Sequence, residues 1–140
     1  MAKIINRNKK IIAIVQARCN SFRLPNKVMK KFAGVPAIEI LHKRLSLSKK
    51  IDNIIIATSK NNINLKLVNF CKEKKIDFFL GSEDNVLKRY FEASKKFNAD
   101  IIVRITGDSV LIDPRLVDKV IDIFQKNKVD YASNCQPPTF

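Results

Sequence analysis

The chain has 140 residues, of which 46% are hydrophobic, and its formal net charge at pH 7 is +14. This length suits one folded domain, and the hydrophobic content excludes an intrinsically disordered protein. No uninterrupted apolar run approaches the roughly 18 residues that a membrane-spanning helix requires. We therefore expect a single domain over residues 1–140 with no membrane span.

Five short segments rich in β-branched and other apolar residues predict strands. They are Ile11–Val15, Ile54–Ala57, Ile76–Leu80, Ile101–Ile105 and Val129–Ala132. The first helix is predicted from Pro36 to about Leu47, after a turn at Ala33-Gly34, with Pro36 as its first helical residue. The second helix is marked by apolar residues at helical spacing, namely Leu65, Val68 and Cys71.

The last two helices have recognisable starts. Ser82 is predicted to cap the third helix, with Glu83 and Asp84 in its first turn, and Asp113-Pro114 is predicted to begin the fourth. The predicted core residues are Val86, Leu87, Tyr90, Phe91 and Phe97 in the third helix, and Leu116, Val117, Val120, Ile121 and Phe124 in the fourth. Because strands alternate with helices, we predict an α/β fold with three layers, α/β/α, around a mostly parallel sheet.

The lysines are spread along the chain, mostly as doublets: Lys9-Lys10, Lys30-Lys31, Lys49-Lys50, Lys74-Lys75 and Lys95-Lys96. Three doublets fall where helices are predicted to end, and a cation there interacts favourably with the helix dipole. No aromatic residues interleave with them as a stacking surface for nucleic acid would require. The charge therefore favours a polyanionic substrate over nucleic acid as the main partner.

Cysteine usage indicates the compartment. Cys19, Cys71 and Cys135 show no CxxC spacing and are odd in number, which favours a reducing cytoplasm over a disulfide framework. The basic segment before Ile11 is followed by only a short apolar run and lacks a small-residue cleavage site. We therefore expect no signal peptide and a cytoplasmic location.

The segment Gln16–Lys27, here called the cationic loop, follows the first predicted strand and contains Arg18, Arg23 and Lys27 without any acidic residue. In open α/β sheets, ligands bind beyond the carboxyl ends of the strands. Three cations and free backbone N–H groups at this position can hold an anion such as a phosphate chain. A surface loop whose cations are merely solvated is an equally open interpretation.

Asp108 follows the fourth predicted strand, so we expect it at the same sheet edge as the cationic loop. A carboxylate at this edge can hold Mg²⁺, which commonly shares its oxygen ligands between one or two carboxylates and substrate phosphates. Gly107 before it permits close approach of the backbone to a ligand. An aspartate that only stabilises a turn or caps a helix fits the same pattern.

The cationic loop, QARCNSFRLPNK, resembles the signature of the cytidylyltransferases that activate acidic sugars as CMP-sugars, most closely the spore-coat polysaccharide SpsF branch with its QARMGSTRLPGK loop. Three further segments are similar to the same family: Ile56–Ser59 (IATS), Gly81–Tyr90 (GSEDNVLKRY) and Arg104–Pro114 (RITGDSVLIDP). Together these matches cover nearly the whole chain. The sequence has neither a Walker motif nor GxGxxG, which argues against P-loop NTPases and dinucleotide dehydrogenases.

The resemblance implies a Rossmann-like nucleotide-diphospho-sugar transferase fold and a CTP-dependent reaction that forms a CMP-sugar and pyrophosphate for surface polysaccharide. It implies that Arg18, Arg23 and Lys27 are catalytic and that Asp108 binds Mg²⁺. The nucleotide-binding residues that it implies are Gln16, Ala17, Arg18, Ser21, Arg23, Lys27, Thr58, Ser59, Gly81, Ser82, Arg104 and Gly107.

This sequence departs from the family pattern at the loop. Asn20 and Asn26 stand where the family usually has glycine, and Asn is among the residues that best tolerate a positive φ. Phe22 puts a bulky apolar group in place of a small hydroxyl, and Val110 replaces a proline. Both asparagines are expected to keep the loop path, whereas Phe22 is expected to affect nucleotide affinity.

Family members are longer, so the chain resembles their N-terminal, nucleotide-binding portion. The expected substrates are CTP and a small sugar, and a second copy or a partner chain is expected to cover the remaining apolar surface. Two other functions stay open: a non-catalytic or incomplete nucleotide-binding module, and a basic nucleic-acid-binding protein.

Overall fold

The computed structural model describes residues 9–135, and a parallel four-stranded sheet runs through its centre. The basic segment before Lys9 and the Pro137-Pro138 pair, which the sequence predicts to end the regular structure, lie outside the described residues. The strands are β1 (Ile11–Gln16), β2 (Lys31–Phe32), β3 (Val35–Pro36), β4 (Asn53–Ser59), β5 (Asp77–Gly81) and β6 (Ile101–Thr106). The helices are α1 (Ala37–Leu45), α2 (Leu65–Glu73), α3 (Val86–Phe97) and α4 (Pro114–Asn127).

The main sheet has the strand order β5-β4-β1-β6, and all of its pairs are parallel. β1 lies inside the sheet because its first five residues are apolar and buried, so both of its faces can be covered. In register, Ile14 of β1 lies between Ile55 of β4 and Arg104 of β6. The predicted α/β fold with a mostly parallel sheet is confirmed.

The helices cover both faces of this sheet. Apolar residues of α1, α2 and α4 pack with Ile11, Ala13 and Val15 on one face, whereas α3 alone packs on Ile12 and Ile14. Burying each isoleucine stabilises the fold by roughly 1.5–3 kcal/mol. None of these four helices has both the length and the apolar character needed to cross a lipid bilayer.

The predicted fifth strand is wrong. Residues 129–132 form no strand, and the side chains of Val129 and Tyr131 are exposed. The alternating apolar residues there predict a strand only if a neighbouring strand pairs with them. In the described part of the chain, β6 pairs with β1 and with no later segment.

Two helix boundaries differ from the prediction. Pro36 closes the short β2–β3 hairpin, so it precedes α1 and is not its first residue, and α1 ends at Leu45. The expected turn at Ala33-Gly34 is present, with positive φ angles of 48° and 82°. α2 begins at Leu65 and contains Val68 and Cys71, as predicted.

The predicted cap and core face of α3 need correction. Asn85, not Ser82, caps this helix, because its side chain accepts a hydrogen bond from the Lys88 backbone N–H. Glu83 and Asp84 therefore precede the helix. Leu87 is 81% exposed and Phe91 is also exposed, because the helix turns Arg89 and Tyr90 inward instead.

α4 begins as predicted but is less buried than expected. Asp113 caps it, and Pro114 is its first residue. Val117 and Ile121 are buried, but Leu116 is exposed. Among the described residues, β6 is the edge strand of the sheet on that side.

Aromatic side chains lie beside two of the lysines of α3. The Lys95 ammonium lies 4.5 Å from the centroid of the Phe91 ring, and the Lys96 ammonium lies 5.8 Å from that of Phe79. The helical spacing of Phe91 and Lys95 brings them together, which a search for a continuous basic and aromatic run does not detect.

Candidate functional site

The cationic loop and the turn after β6 meet at one edge of the sheet. The Lys27 ammonium lies 2.7 Å from the Asp108 carboxylate, to which it donates a hydrogen bond. β1 and β6 are neighbouring parallel strands, so their carboxyl ends, and the loops that follow, lie side by side. The expectation that these charges face each other is confirmed.

Gly107 allows this close approach between the two loops. Its backbone N–H donates to the Gln16 carbonyl over 2.8 Å. A Cβ at position 107 would lie 2.9 Å from that carbonyl oxygen and 3.1 Å from the Ala17 Cβ. Gly107 is therefore needed for packing against the chain itself, whereas the sequence suggested close approach to a ligand.

The Asp108 carboxylate is readily ionised. Hydrogen bonds from Lys27, then from Thr106, hold the pKa of Asp108 below its usual value. The loop that follows is fixed to α1, because the Arg44 Nε donates to the Ile112 carbonyl over 2.9 Å. Arg44 thus holds the segment after Asp108 against α1.

The start of the cationic loop is anchored to the end of β4 by a buried side chain, Asn64. Its Oδ1 accepts a hydrogen bond from the Cys19 backbone N–H over 2.8 Å, and its Nδ2 donates to the Ser59 hydroxyl over 2.8 Å. Thr58 and Ser59 are both buried. Their predicted contact with a nucleotide would require the residues that cover them to move, whereas the anchoring role of Ser59 is present in this structure.

The two asparagines of the loop behave differently. Asn26 adopts the left-handed conformation with a φ of 55°, as its glycine-like position predicts, whereas Asn20 is not among the positive-φ residues. The Asn26 backbone N–H donates to the Cys19 carbonyl over 2.8 Å and so closes the base of the loop.

The side chains of the loop tip face solvent. Phe22 is fully exposed, and Arg18 and Arg23 are exposed as well, whereas Ser21 is half-buried. Among the described residues, neither arginine forms an ion pair with a carboxylate. Both guanidinium groups are therefore available to an anion from solution.

Cys19 lies inside the same loop but is not reactive. It is fully buried, and burial raises the pKa of its thiol. This agrees with the absence of a nearby histidine in the sequence.

Gly81 and Ser82 contact Arg89, which is not among the predicted site residues. Arg89 of α3 is only 2% exposed, and its Nη1 donates to the Ser82 carbonyl over 2.5 Å. A Cβ at position 81 would lie 2.8 Å from the Arg89 Cγ, so Gly81 leaves room for this side chain. The Nε of Arg89 has no hydrogen-bond partner in the described part of the chain.

The surroundings of Arg89 shift the pKa of its guanidinium. Burial lowers the pKa of its guanidinium; the charge of Arg18 lowers it further, and the charge of Glu83 raises it. Arg18, just after β1, and Arg89, in the first turn of α3, thus bring two positive charges within electrostatic range of each other.

Arg104 lies apart from the ion pair. It is in register with Ile14 and faces α3, where its guanidinium carbon lies 5.6 Å from the centroid of the Tyr90 ring. The structure thus groups Gln16, Ala17, Lys27, Gly107 and Asp108, and it places Arg104 on the α3 face of the sheet.

Sequence reasoning did not name Asn64, Glu83 or Arg89 as site residues, although the last two lie in the Gly81–Tyr90 segment that resembles the family. Asn64 belongs to a run of polar residues that predicts only a loop, and Glu83 was assigned to a helix dipole. For Arg89, the available signal was its place in a helix between Val86 and Ala93, on the side that becomes buried.

A metal ion would find few protein ligands here. Over residues 9–135, no three His, Cys, Asp or Glu side chains come together as a metal-binding group. Asp108 does offer an exposed oxygen donor at the edge of the sheet, and Mg²⁺ commonly takes one carboxylate together with substrate phosphates. The residues present therefore fit a metal shared with a bound nucleotide, not one held by the protein alone.

Comparisons with known proteins identify the family of this chain. The fold is that of Rossmann-like nucleotidyltransferases, and a family model described as Cytidylyltransferase matches residues 12–140. The chain therefore belongs to the cytidylyltransferase family. A solved cytidylyltransferase from Leptospira borgpetersenii is 36% identical with a TM-score of 0.81, and the match covers 86% of this chain and 51% of that one.

The curated relatives that match in sequence include the following two. An uncharacterized protein of Methanocaldococcus jannaschii is 45% identical over 89% of this chain and 51% of its own length. The spore coat polysaccharide biosynthesis protein SpsF of Bacillus subtilis is 34% identical over 87% of this chain and 52% of its own length. The chain thus spans about half the length of the curated relatives that it matches.

Proposed function

We propose that this chain is the nucleotide-binding part of a cytidylyltransferase that transfers CMP from CTP to a sugar and releases pyrophosphate. The observation that supports the proposal is the ion pair between Lys27 and Asp108, since a cation able to bind phosphate and a carboxylate able to bind a metal lie at one edge of the sheet. Membership of the cytidylyltransferase family supports CTP as the nucleotide.

The cations of the loop bind and orient the triphosphate. Arg18 and Arg23 are exposed and carry no carboxylate partner in the described residues, so their guanidinium groups can take phosphate oxygens, for which their planar fork is suited. Lys27 exchanges Asp108 for a phosphate oxygen when the nucleotide binds. These charges neutralise the negative charge that grows on the phosphates during transfer.

Asp108 holds Mg²⁺ together with the phosphates in this proposal. When bound, the ion supplies positive charge against the triphosphate. The pKa of Asp108 lies below its usual value, so its carboxylate is ionised at neutral pH and can act as a ligand. Departure of Lys27 toward the phosphates frees the same carboxylate oxygen.

The reaction is an in-line substitution at the α-phosphorus. A sugar oxygen bonds to this phosphorus and loses its proton to solvent, and the bond to the bridging oxygen of the β-phosphate breaks. CMP-sugar and pyrophosphate are the products. The protein contributes position and charge, which dominate catalysis of such transfers.

We further propose that the acceptor is a small sugar for surface polysaccharide. The name of the Bacillus subtilis relative, a spore coat polysaccharide biosynthesis protein, supports this assignment. The relatives extend well beyond the matched region, so acceptor contacts are expected outside the residues described here.

The test is pyrophosphate release from CTP, Mg²⁺ and candidate sugars by Lys27→Ala and Asp108→Asn. Each variant is expected to lose about 10²–10³-fold in rate, the usual effect of removing one group that stabilises transition-state charge. Lys30→Ala and Asp84→Asn are the controls, because both side chains are exposed and form no ion pair in the described residues.

If either test variant keeps the wild-type rate, the role assigned to its residue is wrong. Titration calorimetry with CTP separates the enzyme from a non-catalytic module. CTP binding without pyrophosphate release in any sugar mixture would favour the module.

A further inference from the structure

Glu83 connects the loops that follow three strands of the sheet. Its Oε1 accepts a hydrogen bond from the Asn20 Nδ2 over 2.8 Å, and its Oε2 accepts one from the Asn61 Nδ2 over 2.9 Å. Asn20 belongs to the cationic loop after β1, Asn61 follows β4, and Glu83 itself follows β5. Each carboxylate oxygen thus holds a different loop.

We propose that Glu83 is a positioning residue that fixes the cationic loop in the shape that receives the triphosphate. The effect on the ligand rests on the proposed function, whereas the effect on the loop does not. Glu83 acts through Asn20 and touches no substrate in this proposal.

The side-chain amides of Asn20 and Asn61 both donate to the Glu83 carboxylate. The Oδ1 of Asn61 already accepts a hydrogen bond from the Ile63 backbone N–H over 3.0 Å, which turns its NH₂ group toward Glu83. An ionised carboxylate has only acceptor positions and can serve two donors at once. Such charge-assisted hydrogen bonds are stronger than neutral ones.

The two hydrogen bonds of Glu83, with Asn20 and with Asn61, are here called the tether. The tether holds the cationic loop at its base. Asn20 follows Cys19, whose N–H is held by Asn64 and whose carbonyl accepts from the Asn26 N–H. Two adjacent residues are therefore tied to the loops after β4 and β5, while the tip around Arg23 stays exposed. Fixing the base restricts the paths open to Arg18 and Lys27 on either side.

This arrangement depends on the side chain of Asn20. A glycine at position 20 would have no side chain to donate to Glu83. Asn20 does not adopt the positive φ that would explain an asparagine in place of glycine. Its side chain instead donates a hydrogen bond to Glu83.

A loop held in its binding shape lowers the entropic cost of ordering when the ligand binds. Loss of the tether should therefore weaken CTP binding more than it slows the chemical step. We expect an increase of about tenfold in the CTP dissociation constant and in KM, with kcat changed about twofold or less.

Hydrogen exchange of the ligand-free protein tests the tether directly. Glu83→Gln replaces one acceptor oxygen with an NH₂ group, which faces one of the two donors. Peptides covering residues 18–27 are expected to exchange faster in this variant and in Asn20→Ala. Asp84→Asn, the matched control, removes the same charge one residue away and should leave these peptides unchanged.

Coupling between the two contacts is measured with the double variant. Because Asn20→Ala already breaks one arm of the tether, adding Glu83→Gln should increase exchange and CTP dissociation by less than the product of the single effects. If Glu83→Gln unfolds the protein, the hydrogen exchange of Asn20→Ala tests the proposal by itself, because this variant removes only one side chain of the loop.

Wild-type exchange of residues 18–27 in both Asn20→Ala and Glu83→Gln would overturn the proposal. So would a loss of kcat equal to the rise in KM. If the wild-type protein binds no CTP, the proposed function falls, and the exchange data still decide whether Glu83 fixes the loop.

Discussion

Lys27 and Asp108 form a 2.7 Å ion pair across 81 residues of sequence. The contact exists because β1 and β6 are adjacent in the sheet although they are distant in the chain. In the ligand-free protein each charge neutralises the other. In the proposed function, Lys27 would turn to a phosphate and Asp108 would hold the metal, so a metal-bound triphosphate would replace both partners.

This pair is expected to matter for activity and little for stability. The Lys27 and Asp108 side chains are 33% and 56% exposed, and ion pairs at such positions contribute about 0–1 kcal/mol. Urea unfolding of Lys27→Ala and Asp108→Asn should therefore give free energies within about 1 kcal/mol of wild type. A much larger loss would mean that the pair supports the fold, and reduced turnover could not then be assigned to chemistry.

The dependence of stability on pH follows from the direction of the Asp108 shift. Its folded pKa is lowered below 3.8, so its contribution is present above the unfolded pKa and is lost as the pH falls through the folded value. The stability difference between wild type and Asp108→Asn should stay constant from about pH 7 to about pH 5 and shrink as the pH falls below the unfolded pKa of about 3.9. A difference that changes near neutral pH would contradict this assignment.

Local patterns in the sequence predicted the mostly parallel sheet and the meeting of Asp108 with the cationic loop at one edge, because the carboxyl ends of parallel strands lie at the same edge. β1 is a run of buried β-branched residues, and Asp108 directly follows another strand. The Asn64 and Glu83 contacts could not be predicted, because each joins segments that only the tertiary fold brings together. The strand at Val129 was wrong for the same reason, since its pattern cannot reveal whether a partner strand exists.

Asn26 offers a test of the loop backbone. Its φ of 55° is unfavourable for most residues, and left-handed backbone costs a residue such as alanine roughly 1–2 kcal/mol. Asn26→Ala should therefore destabilise the protein by about 1 kcal/mol, whereas Asn26→Gly should be neutral or stabilising. Asn69→Ala on the exposed face of α2 is the control and should cost nothing. Equal unfolding midpoints for Asn26→Ala and wild type would contradict a strained conformation.

The cap of α3 distinguishes the structure from the sequence-based expectation. Asn85 accepts a hydrogen bond from the Lys88 backbone N–H over 2.8 Å, so Asn85→Ala should lower the unfolding free energy by about 1 kcal/mol. Asn85→Asp should retain the cap and suit the helix dipole. Chemical denaturation of both variants beside Asp84→Ala, which removes no cap, measures the effect. If Asp84→Ala costs as much as Asn85→Ala, the cap is wrongly assigned.

A substitution at Gly107 should reduce both the stability of the protein and its activity. A methyl group at this position meets the Gln16 carbonyl oxygen at 2.9 Å, a backbone atom that cannot rotate away. Gly107→Ala should therefore cost about 1–3 kcal/mol of stability and shift the turn that carries Asp108, which lowers pyrophosphate release. Gly34→Ala is a matched control: its φ of 82° makes alanine unfavourable, but a Cβ there meets nothing within 4 Å and the hairpin is not part of the site. Both variants should unfold at lower urea concentration, and only Gly107→Ala should lose activity under conditions where both are folded. Equal activities for the two would show that the tight contact at Gly107 does not position Asp108.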